Sequence, residues 1–129
     1  MIPGCRKYVD EDWQEVLSWY ISRKMSLDKN GLSQTGFIVP GIACGWLMKT
    51  DAKVCIIEPL IANSNTDAAQ RDEALDTIVE ELLKEATLSG HTLIYGFSNV
   101  PSILNRASKW GFKMNKTITP FEKNLSWDS

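Results

Sequence analysis

Apolar and polar residues recur along this chain with two periods, and the switches between them mark its elements. Val54 to Ile61 is an apolar run interrupted by one carboxylate, Glu58, which reads as a β-strand; the polar stretch Ala62 to Asp67 ends it. Ala74, Leu75, Ile78, Val79, Leu82, Leu83 and Ala86 then recur at helical spacing. Glu73, Asp76, Thr77, Glu80, Glu81, Lys84 and Glu85 fill the other face, and Gly90 closes the element. A second strand, Thr92 to Phe97, leads through Ser98 and Asn99 into a helix opened by Pro101. That helix carries the stripe Ile103, Leu104, Ala107 and stops at Gly111-Phe112. Strand, helix, strand in this order predicts a parallel crossover.

The amino-terminal half alternates differently. Arg6 to Val9 suits an edge strand, and Asp10 to Asp12 supply amino caps, with Asp12 and Glu15 in capping-box spacing. The helix that follows places Trp13, Val16, Leu17, Tyr20 and Ile21 on one face, and Met25 to Thr35 reads as a loop. Gly36 to Val39, the turn Pro40-Gly41 and Ile42 to Met48 form a hairpin, which Thr50 to Lys53 join to Val54 as a meander. Lys113 to Leu125 is left for one or two closing strands split at Pro120. The sum is an α/β chain: a mixed, mainly antiparallel sheet flanked by helices.

With 129 residues, 43% hydrophobic and 23% charged, the chain suits one core, so residues 1–125 are expected as a single domain and 126–129 as a tail. A net charge of -2 argues against a dedicated nucleic-acid surface, leaving Arg23-Lys24 and Lys113 to Lys123 as local basic candidates. No apolar run approaches the roughly 18 residues of a membrane span, and the amino terminus lacks a signal-like apolar core; no membrane partner and a cytoplasmic location are expected. Cys5, Cys44 and Cys55 cannot all pair and match no zinc spacing, so they read as buried or idle thiols, with no metal site.

The strand with Ile57, Glu58, Pro59, Leu60 and Ile61, the helical segment Arg71 to Asp76, Asn99 after the next strand and the closing Lys109 to Phe112 together resemble the acetyl-CoA-binding half of the GNAT N-acetyltransferase family. The resemblance covers most of the chain and extends to the short GNAT-like proteins encoded by bacteriophages. It implies the GNAT-type acyl-CoA N-acyltransferase fold and acetyl transfer from acetyl-CoA to an amine of unknown identity, a small molecule or a protein. The alternative is a GNAT-shaped binding or structural module without catalysis. A third possibility is an acetyltransferase-like module that acts on a host protein through a homodimer surface, which exposure of Trp19 or Trp46 would favour.

The resemblance also implies roles. The backbone of Leu60, Ile61 and Ala62, with Asn63 beyond, would pair with the pantetheine arm as an added strand does. Arg71, Asp72 and Ala74 fall on the pyrophosphate loop, where the family pattern of Arg or Gln, two residues, Gly, one residue, Gly or Ala here loses both glycines and ends on Asp76. A second reading of the same residues starts the helix earlier, with Asp67 as cap and Gln70 at its third position; free N–H donors would then lie at Ala68 to Arg71. Asn99 would contact the pantetheine or cap the following helix. Ala107 stands where family members often carry an acid Tyr, leaving Tyr95 or Ser108 to protonate the thiolate. Glu58 is the candidate base, although its parity relative to Ile61 turns it to the opposite face of a regular strand. His91 reads as a turn residue rather than a catalyst.

Overall fold

The computed structural model describes residues 4–98, 101–115, 119, 121–123 and 125. It forms two compact units, residues 1–98 and 99–129. In the first, β1 (Arg6–Lys7), a 3-10 turn (Asp10–Asp12), α1 (Trp13–Ser22), a second 3-10 turn (Lys29–Gly31), β2 (Thr35–Val39), β3 (Ala43–Lys49), β4 (Val54–Ala62), α2 (Ala68–Leu88) and β5 (Leu93–Gly96) follow in order. The second unit contains α3 (Pro101–Lys109).

The sheet runs β1-β2-β3-β4-β5, antiparallel through β4, and β5 joins β4 in parallel. That parallel pair is the one the strand–helix–strand order predicts. The two faces of the sheet follow from side-chain alternation along β3. Cys44 and Trp46 point to one face, where Ile38 and Ile61 join them beneath Val16, Trp19 and Tyr20 of α1. Gly45 faces the other side, where a side chain at its position would meet Leu60 of β4 and Ile78 and Leu82 of α2. Trp46, Leu47, Leu75, Ile78 and Leu82 are all essentially inaccessible to solvent, and burying each large side chain contributes about 1.5–3 kcal/mol.

Register between β3 and β4 slips once. Gly45 pairs with Leu60 and Leu47 with Ile57, so Trp46 stands opposite two residues, Glu58 and Pro59. This is a β-bulge, placed where proline has no N–H to give to the ladder. The Glu58–Pro59 peptide is cis.

Of the two starts the sequence offers for the long helix, the earlier holds: α2 starts at Ala68, with the Asp67 carboxylate accepting the Gln70 N–H at 2.8 Å. Three other local expectations are corrected. Asp12 and Glu15 form no capping box, because the Asp12 carboxylate turns back to the Val9 N–H and to Arg6, while Glu15 accepts the Gly41 N–H. On α1, Trp19 rather than Ile21 enters the core: Ile21 is 63% exposed. Thr77, assigned to the wet face of α2, is buried beside Ile78. Helix ends match their glycines. Gly90 and Gly111 both take left-handed φ, and each helix closes with an N–H reaching back five residues, His91 to Ala86 and Phe112 to Ala107. The described residues of 113–125 contain no strand; the rest of that stretch lies outside the described residues.

Candidate functional site

The β4–β5 ladder ends at Ile57 and Gly96, yet β4 runs on to Ala62. Among the described residues its second half therefore pairs with β3 alone, and backbone alternation tells which groups face the other side. The Asn63 N–H donates to Ile42 O at 2.7 Å, toward β3. The N–H and C=O of Ala62, and of Leu60 two residues earlier, consequently point away from β3. One of these acceptors is occupied: Arg23, just past the end of α1, donates two bonds to the Ala62 carbonyl, from Nε at 3.1 Å and Nη2 at 2.9 Å. Ser22 and Ser64 hydroxyls at 3.5 Å add a second tie between α1 and the β4–α2 loop.

The bulge also decides where Glu58 points. Ile57 and Leu60 share the α2 face, as their partners Leu47 and Gly45 do, so Glu58 falls on the α1 face together with Ile61. The parity expected for a regular strand is thereby reversed by one inserted residue. Glu58 is exposed. Its charge reaches the Tyr20 phenol, whose pKa is pushed up first by burial, then by Cys44 and Glu58. Tyr95 of β5 pairs with Ile56, which puts its side chain on this same face, diagonal to Glu58; it is partly exposed and stacks on Phe97 with ring centroids 6.5 Å apart.

This α1-side core is unusually rich in polar atoms without partners. Among the described residues, the hydroxyls of Tyr8 and Tyr20 and the Trp46 Nε1 are buried and make no hydrogen bond. Tyr8 packs edge-on to Trp46 at 5.0 Å, and burial raises its pKa to about 12. Burial likewise pushes the Cys44 thiol far up.

The predicted pyrophosphate residues are arranged otherwise than expected. Arg71 folds onto its own helix start, with its N–H on Asp67 O at 3.1 Å and its guanidinium on Thr66 O. The N–H groups of Asp72 and Ala74 lie beyond the first turn, where helix geometry directs them to acceptors within α2, and Ala74 is fully buried. The assignment of these backbone amides to an anion is thus corrected; Ala68 and Ala69 hold the amides without intrahelical acceptors. Asn63 is engaged in shaping the loop: Nδ2 donates to Gly41 O at 3.0 Å and Oδ1 accepts the Asn65 N–H at 3.0 Å. Asn99 lies outside the described residues. Ser108 is exposed on α3, in the second unit. Trp19 and Trp46 are buried, which removes the exposed aromatic surface on which a homodimer was favoured.

The structure therefore brings together Glu58, Tyr95 and the β4 backbone, and adds Tyr20 and Arg23. Sequence reading missed these two as site residues. Their spacing of three places them one helical turn apart at the end of α1, but nothing in the sequence says that this turn crosses the end of β4. No cluster of three or more His, Cys, Asp or Glu able to hold a metal occurs among the described residues, and no helix among them is long and apolar enough to cross a membrane.

No protein-family model matches the sequence, and no curated protein sequence does. Solved structures do match in fold. An acetyltransferase from Trypanosoma brucei superposes with a TM-score of 0.68 at 14% identity, covering 92% of this chain and 98% of that one. A GNAT family acetyltransferase from Streptococcus pneumoniae gives 0.65 at 10% identity over 93% and 98% of the two chains. Glucosamine-6-phosphate N-acetyltransferase from Arabidopsis thaliana gives 0.64 at 14% identity over 95% and 97%. The chain has the GNAT acyltransferase fold: a five-stranded mixed sheet with flanking helices.

Proposed function

We propose that this chain is an N-acetyltransferase that moves an acetyl group from acetyl-CoA to an amine. The observation that carries the reading is the half-paired β4: beyond Ile57 the strand loses its β5 partner while Leu60 and Ala62 keep backbone groups turned to the vacated side. An extended amide-bearing chain such as pantetheine pairs with such an edge as a further strand would. The Ala62 N–H faces that side, and its carbonyl joins it when Arg23 yields it.

The bulge sets Glu58 at the same place, one residue past the last β4–β5 pair, exposed to an incoming amine. Its carboxylate takes a proton from the acceptor ammonium, freeing the nitrogen lone pair. The amine then attacks the thioester carbonyl carbon; the N–C bond forms, the C–S bond breaks and the thiolate leaves. The nitrogen gives up its second proton, which replaces the one that the thiolate takes from its acid. Holding both substrates at this edge lowers the barrier without a covalent enzyme intermediate. Tyr95 lies on the same face, which supports it as the acid that gives the thiolate its proton.

One observation favours a second reading, a binding module without catalysis. The residues that replace the family's glycine loop are wound into α2, and Asp76 sits on its third turn. Calorimetric titration with acetyl-CoA, followed by a thiol-release assay over a panel of amines, separates the two. Saturable binding with release that falls about a hundredfold in Glu58→Gln supports the transferase. Binding without release from any amine supports the module, and no binding sinks both.

A further inference from the structure

The Arg23 guanidinium spends two donors on one neutral acceptor. Nε at 3.1 Å and Nη2 at 2.9 Å both reach the Ala62 carbonyl, and because a carbonyl oxygen carries two lone pairs, both are filled. Guanidinium forks ordinarily match carboxylates or phosphates. Among the described residues Arg23 makes no ion pair, and this carbonyl is the only acceptor of its side chain. The helix end that carries it is fixed by backbone bonds of its own: Lys24, at a left-handed φ of 57°, donates to Ile21 O, and Met25 donates to Tyr20 O, each at 2.9 Å. Arg23 itself is exposed. Its side chain therefore leaves Ala62 by rotation alone, with α1 and β4 in place.

We propose that Arg23 is an autoinhibitory latch on the cofactor edge: its guanidinium holds the Ala62 carbonyl in the free protein and gives it up to a pantetheine amide of acetyl-CoA. The inference rests on the transferase reading, for which that edge is the pantetheine site. A strand added to an edge bonds both the N–H and the C=O of every second residue. At Ala62 the N–H faces that side while the C=O is held by Arg23, so a ligand completes the pairing only in molecules whose latch has opened. The measured dissociation constant is then the intrinsic one divided by the open fraction. Removing the latch brings that fraction to one. No covalent bond changes: the carbonyl exchanges side-chain donors for a ligand N–H, and the guanidinium returns to water.

The test is calorimetric titration of wild type and Arg23→Ala with acetyl-CoA and, separately, with adenosine 3′,5′-bisphosphate, which carries phosphates but no pantetheine. Loss of one positive charge weakens both ligands to a similar degree, so the ratio of the two dissociation constants cancels it. Arg23→Ala is expected to raise the preference for acetyl-CoA over the bisphosphate by about threefold or more. Arg23→Met keeps much of the aliphatic stem and no donor; it should give the same rise, and it decides the matter where Arg23→Ala folds poorly. Ser22→Ala removes the hydroxyl tie between α1 and Ser64 but leaves the Ala62 contact, so it should keep the wild-type ratio. An unchanged or lower ratio in both Arg23 variants overturns the proposal. An equal rise in Ser22→Ala overturns it as well, since loosening of α1 then accounts for the effect. Saturable acetyl-CoA binding by wild type with no change of ratio in the Arg23 variants sinks this inference alone, whereas no binding of acetyl-CoA by wild type or variants sinks the transferase reading together with it.

Discussion

Arg6 grips Asp12 with both ends of its guanidinium, Nη2 to Oδ1 at 2.7 Å and Nη1 to Oδ2 at 2.9 Å, and the Val9 N–H adds a third bond to the same carboxylate. These contacts tie the short β1 to the start of α1. The Arg6 hydrogen bond, outweighing partial burial, lowers the Asp12 pKa. A carboxylate with a depressed folded-state pKa stabilises the fold fully above its unfolded value of about 3.9 and loses that contribution as pH falls through the folded value. Asp12→Asn should therefore lower the melting temperature at pH 7, by the equivalent of about 0.2–1 kcal/mol for a pair whose Arg side chain is 46% exposed. The gap to wild type should shrink below about pH 4. A gap that stays constant down to pH 2 would show that the ion pair contributes nothing.

Two glycines of the sheet predict different costs. A methyl at Gly36 would lie 2.6 Å from Trp46 Cδ1, part of a rigid, fully buried ring. At Gly45 the nearest atom, at 2.5 Å, is the end of the flexible Leu60 side chain. Gly36→Ala should destabilise by about 1–3 kcal/mol in urea denaturation, and Gly45→Ala by less. The reverse order would mean that Trp46 repacks more easily than Leu60.

The start of α2 gives a third expectation. Asp67→Ala removes the cap on Gln70 and should cost about 1 kcal/mol. Asp76→Gly would restore a glycine of the family loop, but position 76 lies inside a 21-residue helix. Its effect should be a loss of about 1 kcal/mol in stability without tighter acetyl-CoA binding. Calorimetry that finds tighter binding would place the pyrophosphate against this turn after all.

Thiol reactivity should divide the cysteines. Cys44 and Cys55 are fully buried and their pKa values are raised, mainly by burial; Cys5 is raised by burial too but is only partly covered. With an aromatic disulfide reagent, native protein should release one equivalent promptly and the other two only on unfolding. Cys5→Ser should abolish the prompt phase. Prompt reaction of two thiols would show that one of the buried positions opens in the native state.

What the sequence determined by itself is what lies within a few residues of the chain. Periodicity marked α1, α2 and all five strands, Gly90 and Gly111 announced their helix ends, and the Asp67–Gln70 spacing offered the true start of α2 beside the false one. Caps, turns and amphipathic stripes are local, so their residue types carry the signal. Tertiary structure decided everything that depends on register across strands. One extra residue at Glu58–Pro59 reverses the face of every side chain relative to a regular strand, and a proline in sequence signals the place without fixing which residue turns. Asp12 offered a capping pattern but found Arg6 instead, because a charged fork on an adjacent strand binds a carboxylate more strongly than helix amides do. Tyr20 and Arg23 read as an ordinary helix end; only the crossing of α1 over β4 buries one in the cluster that holds Ile61 and sets the other on the Ala62 carbonyl, since contacts between residues about forty positions apart follow from packing, not from spacing.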